Sequence, residues 1–243
     1  MATEYNNPKI VIDNLLLYLD AGNTKSYPGT GTDWYDLTNN KFHMNLINGP
    51  TFSTVSGVKC FSLDGSNDKG VCDGTISGSV EATVANLGLT TTNPKTVVCW
   101  VNKNANAPGN DDGTIFDLGD SGSNGREFAL RDWGSPWTSY RAQFWGDADY
   151  DFTYDTIDKW TMFSVVYGID RIGKTYANDT LAGEDSSSYD LTTGGSTPFT
   201  MGKWDYGTNW WGGRVAMFMV YNKGLTAAEV KQNFDALKGR FGL

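Results

Sequence analysis

The sequence predicts an all-β protein, an antiparallel β-sandwich or jelly roll with one C-terminal helix. The chain has 29 glycines and 14% aromatic residues, whereas only 19% of its 243 residues are charged, a composition that favours strands joined by tight turns. Short apolar runs bounded by Gly, Asn, Asp or Ser recur along the chain, and about ten runs at this spacing indicate a sandwich. With 39% hydrophobic residues the chain can bury one full core, so we expect a single sandwich domain.

The predicted elements begin with a strand near the N-terminus. Residues 1–13 are polar and irregular apart from Ile10-Val11-Ile12 and are predicted as an N-terminal arm, followed by the sandwich over residues 14–243. The run 15–20 is predicted as a buried strand, whereas 22–57 is predicted as a long ordered loop with one short strand near Trp34. Further strands are predicted at residues 60–64, 96–101, 114–118, 127–133, 141–145, 160–167, 174–178, 199–203 and 214–221.

One helix is predicted near the C-terminus. Thr226 and Glu229 have the T-x-x-E spacing of a capping box, in which each side chain satisfies the backbone amide of the other residue. Val230, Phe234 and Leu237 form one apolar stripe, so we expect this helix to pack along the sandwich and to stop near residue 239. The last four residues are predicted either as a contact tail or as cover for the edge of the fold.

Charge and cysteine content exclude several kinds of partner. The net charge of -9, without a Lys/Arg cluster, disfavours nucleic acid and anionic membranes. No apolar run approaches the roughly 20 residues that span a bilayer, and the first residues lack a signal-peptide pattern, so we expect a soluble chain without membrane insertion. Cys60, Cys72 and Cys99 are predicted as reduced core residues, which fits assembly in a cytoplasm.

Several segments together resemble a known family. The opening strand and the Trp34 and Phe61 runs resemble the first part of laminin-G-like, concanavalin A-like lectin domains, which are common in bacteriophage virion proteins. A strand pair around residues 160–179 is similar too, although Asp179 stands where Gly is usual. Residues 201–204, 212–215 and 220–226 resemble the closing strand and helix of the family. The resemblance implies the fold and a place on a virion; such sandwiches serve as lectins, glycanases, receptor modules or spacers.

The sequence gives little support for catalysis. Glycanases of this fold carry an E-x-D-x-x-E strand that sets two carboxylates about 5 to 5.5 Å apart, and no two glutamates here share a strand. We therefore expect carboxylates that lie too far apart to act together. His43 is the only histidine, lies in a polar loop and is predicted as a surface imidazole, so a Ser-His-Asp or Cys-His arrangement has no second element.

An acidic loop is the one candidate metal site. Asp147, Asp149 and Asp151 alternate along it, with Asp158 further on, and calcium-binding loops use oxygen ligands at such spacing. The match is partial because Phe152 stands where an EF-type loop needs Gly. Either a bound calcium ion or a solvated acidic turn explains the run, and no other cofactor is indicated.

A polar and aromatic strand face is the candidate binding site. Two-residue periodicity places Phe128, Leu130, Ala142 and Phe144 toward the core and the alternate side chains outward. Aromatic rings stack on sugar faces while Arg and Gln donate to hydroxyls, so this face predicts a glycan groove; ordinary Trp anchoring or a protein interface are the alternatives. The candidate carbohydrate-binding residues are Arg131, Trp133, Arg141, Gln143 and Trp145, with Trp204, Tyr206 and Trp210 from a Gly-rich loop as a wall.

These observations and the resemblance together predict a non-enzymatic phage virion structural protein. It would be a head decoration or fibre-like component that is assembled in the host cytoplasm, with weak glycan contact. Its partners would be other capsid or tail proteins, in an oligomer, with no nucleic acid. A lectin-type receptor-binding module that recognises host polysaccharide is the first alternative, and a glycoside hydrolase with an unusual acid pair is the second.

Overall fold

The computed structural model describes residues 8–104, 112–120, 122–134 and 138–243. Its strands are β1 (Leu15–Asp20), β2 (Asp33–Trp34), β3 (Met44–Ile47), β4 (Thr51–Val55), β5 (Val58–Asp64), β6 (Lys69–Val71), β7 (Lys95–Lys103), β8 (Thr114–Asp117), β9 (Ala129–Asp132), β10 (Ser139–Gln143), β11 (Tyr150–Thr153), β12 (Thr161–Tyr167), β13 (Gly173–Ala177), β14 (Thr180–Glu184), β15 (Thr200–Met201) and β16 (Gly212–Tyr221).

The strands form two sheets whose described ladders are antiparallel. Sheet A has the order β14, β13, β12, β7, β16, β5 and β4, and β1 also pairs with β16. Sheet B has the order β11, β10, β9, β8, β15, β6, β3 and β2. The predicted all-β antiparallel sandwich with one C-terminal helix is therefore confirmed.

The main core lies between the two sheets. Val97, Cys99 and Phe163 of sheet A are buried in one cluster with Leu130 and Ala142 of sheet B. Because side chains alternate across a strand, the residues between these positions point to the outer faces. One outer face of each sheet is thus left to be covered or exposed.

The outer face of sheet A is covered by helix α1 (Ala227–Leu237). The Thr226 hydroxyl accepts a hydrogen bond from the Glu229 amide at 3.3 Å, and the Glu229 carboxylate accepts one from the Thr226 amide at 2.9 Å. This geometry confirms the predicted capping box. Val230 and Phe234 face a second buried cluster on this side of the sheet, as the predicted stripe requires.

The two ends of the described chain complete this cover. Phe241, in a short 3-10 turn after α1, stacks on Trp100 of β7 with ring centroids 3.7 Å apart. Near the other end, the Val11 amide donates to Asn233 Oδ1 of α1 at 2.8 Å. Residues 1–7 of the predicted arm lie outside the described residues. No helix in the described part combines the length and apolar character that a membrane crossing needs.

Several strands were not predicted from the sequence. The segment 22–57 contains three strands, β2, β3 and β4, instead of the single short strand that was predicted, so the long-loop prediction is wrong. Strands β6, β11 and β14 were also missed. Strands β4 and β14 lie at the two edges of sheet A and carry many exposed polar residues, so their apolar alternation is weak. Cys60, Cys72 and Cys99 are buried free thiols.

Candidate functional site

The candidate site lies on the outer face of sheet B. Arg131 of β9 pairs in register with Arg141 of β10, and their neighbours Leu130 and Ala142 pair directly beside them. Leu130 and Ala142 belong to the inter-sheet core, so the two arginines point to the opposite face. The predicted division of these strands into a core face and a polar aromatic face therefore agrees with the register.

A loop between β15 and β16 folds over this face. Lys203 and Trp210 form an antiparallel bridge that closes the base of the loop. The Trp204 indole Nε1 donates to Glu127 Oε1 at 2.8 Å, and the Asp205 amide donates to Asp117 Oδ2 at 2.9 Å. These two hydrogen bonds fix the loop onto side chains of the sheet below it.

The loop buries two residues that the sequence placed in an open groove. The Arg131 side chain is only 2% exposed, and its guanidinium lies 4.2 Å from the centroid of the Trp204 ring. Arg131 donates to Gln143 Oε1 at 2.5 Å and also bonds to Asp112, while Gln143 Nε2 donates to Glu127 Oε2 at 3.0 Å. Arg131 and Gln143 therefore support the site from below and do not face solvent.

Two carboxyl groups that the sequence analysis did not bring together meet beneath Trp204. Asp117 ends β8, Glu127 precedes β9, both are fully buried, and the two carboxyl groups are close enough for each to act on the pKa of the other. The expectation that carboxylates lie too far apart to act together did not take this pair into account, because it compared glutamates within one strand. The available signal was an acidic residue at each facing end of two neighbouring predicted strands.

Hydrogen bonds from three N–H groups hold this pair in the fold. Both Glu127 oxygens accept N–H donors, from Trp204 and from Gln143, and Asp117 Oδ2 accepts the Asp205 amide. Among the described residues, Asp117 Oδ1 has no hydrogen-bond partner. The other three oxygens of the pair each accept an N–H group, so these donors hold the two carboxyl groups in place.

Burial is the main cause of proton retention by this pair. Burial, and after it the charge of Asp205, raises the pKa of Asp117 to about 7. Burial and the neighbouring Asp117 raise the pKa of Glu127 well above its usual range, while the Arg131 charge opposes the rise in both groups. The pair therefore retains protons to higher pH than exposed carboxyl groups do, and Glu127 anchors Trp204.

Three aromatic rings form the part of the site that solvent reaches. Trp145, Trp204 and Tyr206, which we call the aromatic platform, lie with ring centroids 5.3 to 5.5 Å apart. Tyr206 is 68% exposed, and the two tryptophans are half-buried. The rings are tilted or edge-on to one another, the arrangement that aromatic quadrupoles favour.

Trp145 takes its place through an unusual backbone conformation. It lies just beyond β10, with φ of 61°, in the left-handed region that a bulky residue rarely adopts. Its carbonyl oxygen accepts the Gly125 amide at 2.9 Å, which holds the turn. Such strain persists where the surrounding structure determines it and is concentrated at functional sites.

A second group of residues continues the site toward the edge of sheet B. The Arg141 guanidinium lies 3.7 Å from the centroid of the Trp133 ring and bonds to both carboxylate oxygens of Asp151, at 2.7 and 3.1 Å. A shallow cavity of about 560 Å³ lies beside this group and is lined in part by Trp133, Ser139 and Asp151. A more apolar cavity of about 540 Å³ lies at the start of α1, away from these residues.

The remaining predicted residues have other roles. The Lys203 ammonium lies 5.6 Å from the centroid of the Trp210 ring, and Trp210 helps to close the base of the loop. Asp147 is exposed, Asp149 Oδ1 accepts the Phe144 amide at 2.6 Å, and Asp151 bonds to Arg141. Among the described residues no group of three acidic, His or Cys side chains is placed to hold a metal ion.

The lone histidine supports a loop. His43 Nδ1 accepts a hydrogen bond from the Asp36 amide at 3.0 Å, and its ring packs edge-on against Tyr35. Burial lowers the pKa of His43. The imidazole of this predicted surface residue is thus partly buried.

The chain is similar to known proteins in sequence pattern and in fold. A family model described as the concanavalin A-like lectin/glucanases superfamily matches residues 73–231, more than half of the chain. The structure of Trypanosoma rangeli sialidase in complex with sialic acid is similar, with a TM-score of 0.64 and 14% identity over 93% of this chain and 33% of that chain. The binding domain of botulinum neurotoxin DC in complex with SialylT has a TM-score of 0.64 and 15% identity over 93% of this chain and 52% of that chain. No curated protein sequence matches.

These comparisons correct one functional prediction. The chain spans about a third of the sialidase chain and about half of the toxin binding domain chain, and identities this low show the fold alone. The similar structures named above are an enzyme and a toxin binding domain, so the prediction of a phage virion structural protein is wrong.

Proposed function

Because the chain belongs to the concanavalin A-like lectin/glucanases superfamily, we propose that it is a non-catalytic carbohydrate-binding domain that holds a sugar against the aromatic platform. The observation that carries the proposal is a contiguous set of partly exposed rings fixed in place from below. Flat apolar rings match the C–H faces of a sugar ring, and nearby polar groups match its hydroxyls.

The hydrogen bonds beneath the platform support a preorganised site. Trp204 is anchored through its indole N–H to a buried carboxylate and is stacked on Arg131. Trp145 is held by its carbonyl in a left-handed turn. Rings that are already ordered lose little entropy when a ligand binds, which favours affinity for a weakly interacting ligand such as a sugar.

The position of the acidic pair supports binding without cleavage. Asp117 and Glu127 are the carboxyl groups that come together here, and both are fully buried under Trp204. A general acid must reach the oxygen of the bond that is broken, within hydrogen-bond distance. In this arrangement the pair is occupied with holding the loop.

A glycan array of purified oligosaccharides tests the proposal directly. We expect the wild-type chain to bind a subset of the array and Tyr206→Ala to lower the affinity for those glycans at least about tenfold, equal to about 1.4 kcal/mol for a lost stacking contact. Ile169→Ala is the matched control, because Ile169 is 90% exposed but lies in the turn between β12 and β13 of sheet A. Its affinities should equal those of the wild type.

Two results would contradict the proposal. One is a wild-type chain that binds no glycan on the array. The other is glycan binding that Tyr206→Ala and Trp145→Ala both leave unchanged, since the platform would then not be the site.

A further inference from the structure

We infer that the aromatic platform selects uncharged glycans and rejects glycans that carry carboxylate groups. This inference rests on the proposed function and concerns the chemical class of its ligand. The selectivity follows from the charged groups around the platform. It also follows from the hydrogen-bond donors and acceptors of those groups, most of which other protein groups already occupy.

The arginines of the site are already engaged by aspartates. Both carboxylate oxygens of Asp151 bond to the Arg141 guanidinium, which also stacks on Trp133. Arg131 is 2% exposed and bonds to Asp112 and Gln143. Recognition of a ligand carboxylate ordinarily uses the paired N–H groups of an arginine, and here a protein carboxylate already occupies that partner position.

The lysine of the loop is also directed inward. Lys203 Nζ donates to the Trp204 carbonyl oxygen at 2.9 Å and lies over the Trp210 ring. Burial lowers the pKa of Lys203. Its ammonium group therefore braces the loop base and does not project beside the platform rings.

Negative charge surrounds the rings. The buried pair beneath Trp204 keeps one negative charge when it holds one proton, Asp205 adjoins it in the loop, and Asp147 is exposed two residues after Trp145. With Asp112 and Asp151 these groups outnumber the nearby cations. A ligand carboxylate at the platform would be repelled by this set, whereas sugar hydroxyls can donate to exposed carboxylates in charge-assisted hydrogen bonds.

The test compares matched pairs of glycans on one array. Each neutral oligosaccharide is paired with the same oligosaccharide bearing a terminal sialic acid or uronic acid. We expect the wild-type chain to bind the neutral member at least about tenfold more tightly, with a ratio that falls as salt is raised.

A charge substitution provides the converse test. Asp151→Asn releases the Arg141 guanidinium and removes one negative charge, so it should raise binding of the acidic member relative to the neutral one. Asp13→Asn is the matched control, because Asp13 is an exposed aspartate paired with Lys223 beside sheet A. This control should leave the ratio at its wild-type value.

The outcomes separate the two proposals. Platform-dependent binding that is equal or tighter for the acidic members overturns the selectivity and leaves the carbohydrate-binding function standing. An Asp151→Asn ratio no different from that of Asp13→Asn also overturns the charge argument. Absence of binding to both members of every pair overturns the proposed function itself.

Discussion

Asparagine at position 117 tests whether burial raises the pKa of Asp117 in the folded chain. In Asp117→Asn, the amide oxygen can accept the Asp205 amide as Asp117 Oδ2 does, and the amide nitrogen takes the place of Oδ1 on the side of Glu127. The substitution therefore imitates the neutral acid, and its hydrogen bonds do not depend on a titratable proton. We expect the variant to fold with Trp204 still anchored.

The raised pKa of Asp117 predicts how much the free energy of unfolding changes with pH. The folded pKa of Asp117 is about 7 and its ordinary value is 3.8, so between these values the folded chain binds the extra proton. Stability from this group is fully present below the ordinary value and is lost as pH rises to about 7. At about 1.4 kcal/mol per pH unit, the loss in the wild type is about 4 kcal/mol.

The assay is urea unfolding of wild type and variant at about pH 4 and about pH 8. Because Glu127 interacts with Asp117, the assay reports on the pair, and the difference in unfolding free energy should move in favour of Asp117→Asn by up to about 4 kcal/mol as the pH rises. Asp147→Asn makes the same substitution at an exposed aspartate near the platform and is the matched control. A difference for Asp117→Asn that changes with pH no more than that of the control would refute the raised pKa of Asp117.

Two further predictions concern the core. Burial lowers the pKa of Lys95 to about 7, so the wild type gains stability as pH rises from about 7 toward 10. Lys95→Met removes this gain. The free energy of unfolding measured with urea should therefore rise in the wild type relative to the variant over that pH range. A difference between the two proteins that stays constant with pH would contradict the lowered pKa of Lys95. Phe241→Ala should cost about 3 to 5 kcal/mol of unfolding free energy, because it removes the ring stacked on Trp100. Leu243→Ala, at a 53% exposed side chain, should cost almost nothing; equal losses would show that Phe241 does not anchor the C-terminal end.

Local patterns predicted the parts of the fold that depend on local physics. The capping box at Thr226 involves residues three apart, so its hydrogen bonds follow from the sequence once a helix forms. The alternation along β9 and β10 likewise placed Leu130 in the core and Arg131 on the outer face. Both features require no knowledge of which strands are neighbours.

Features that depend on distant contacts could not be predicted in this way. Asp117 and Glu127 meet because β8 and β9 are adjacent, and Trp204 covers them because a loop far along the chain folds back over sheet B. The burial of Arg131 and Gln143 follows from that loop and from nothing in their own strands. The sequence of a strand does not show whether an arginine on its outer face is exposed to solvent or covered by an indole ring.

The place of β16 in sheet A has a consequence for biosynthesis. This strand pairs with β1, β5 and β7, and Tyr18 lies opposite Met219 about 200 residues later in the chain. While the ribosome is still translating the middle of the chain, the earlier strands lack their shared partner, and sheet A cannot close until residues 212–221 emerge. Pairing over such separations is slow to form and exposes apolar strands meanwhile, so a nascent chain halted before β16 should recruit chaperones and resist compaction.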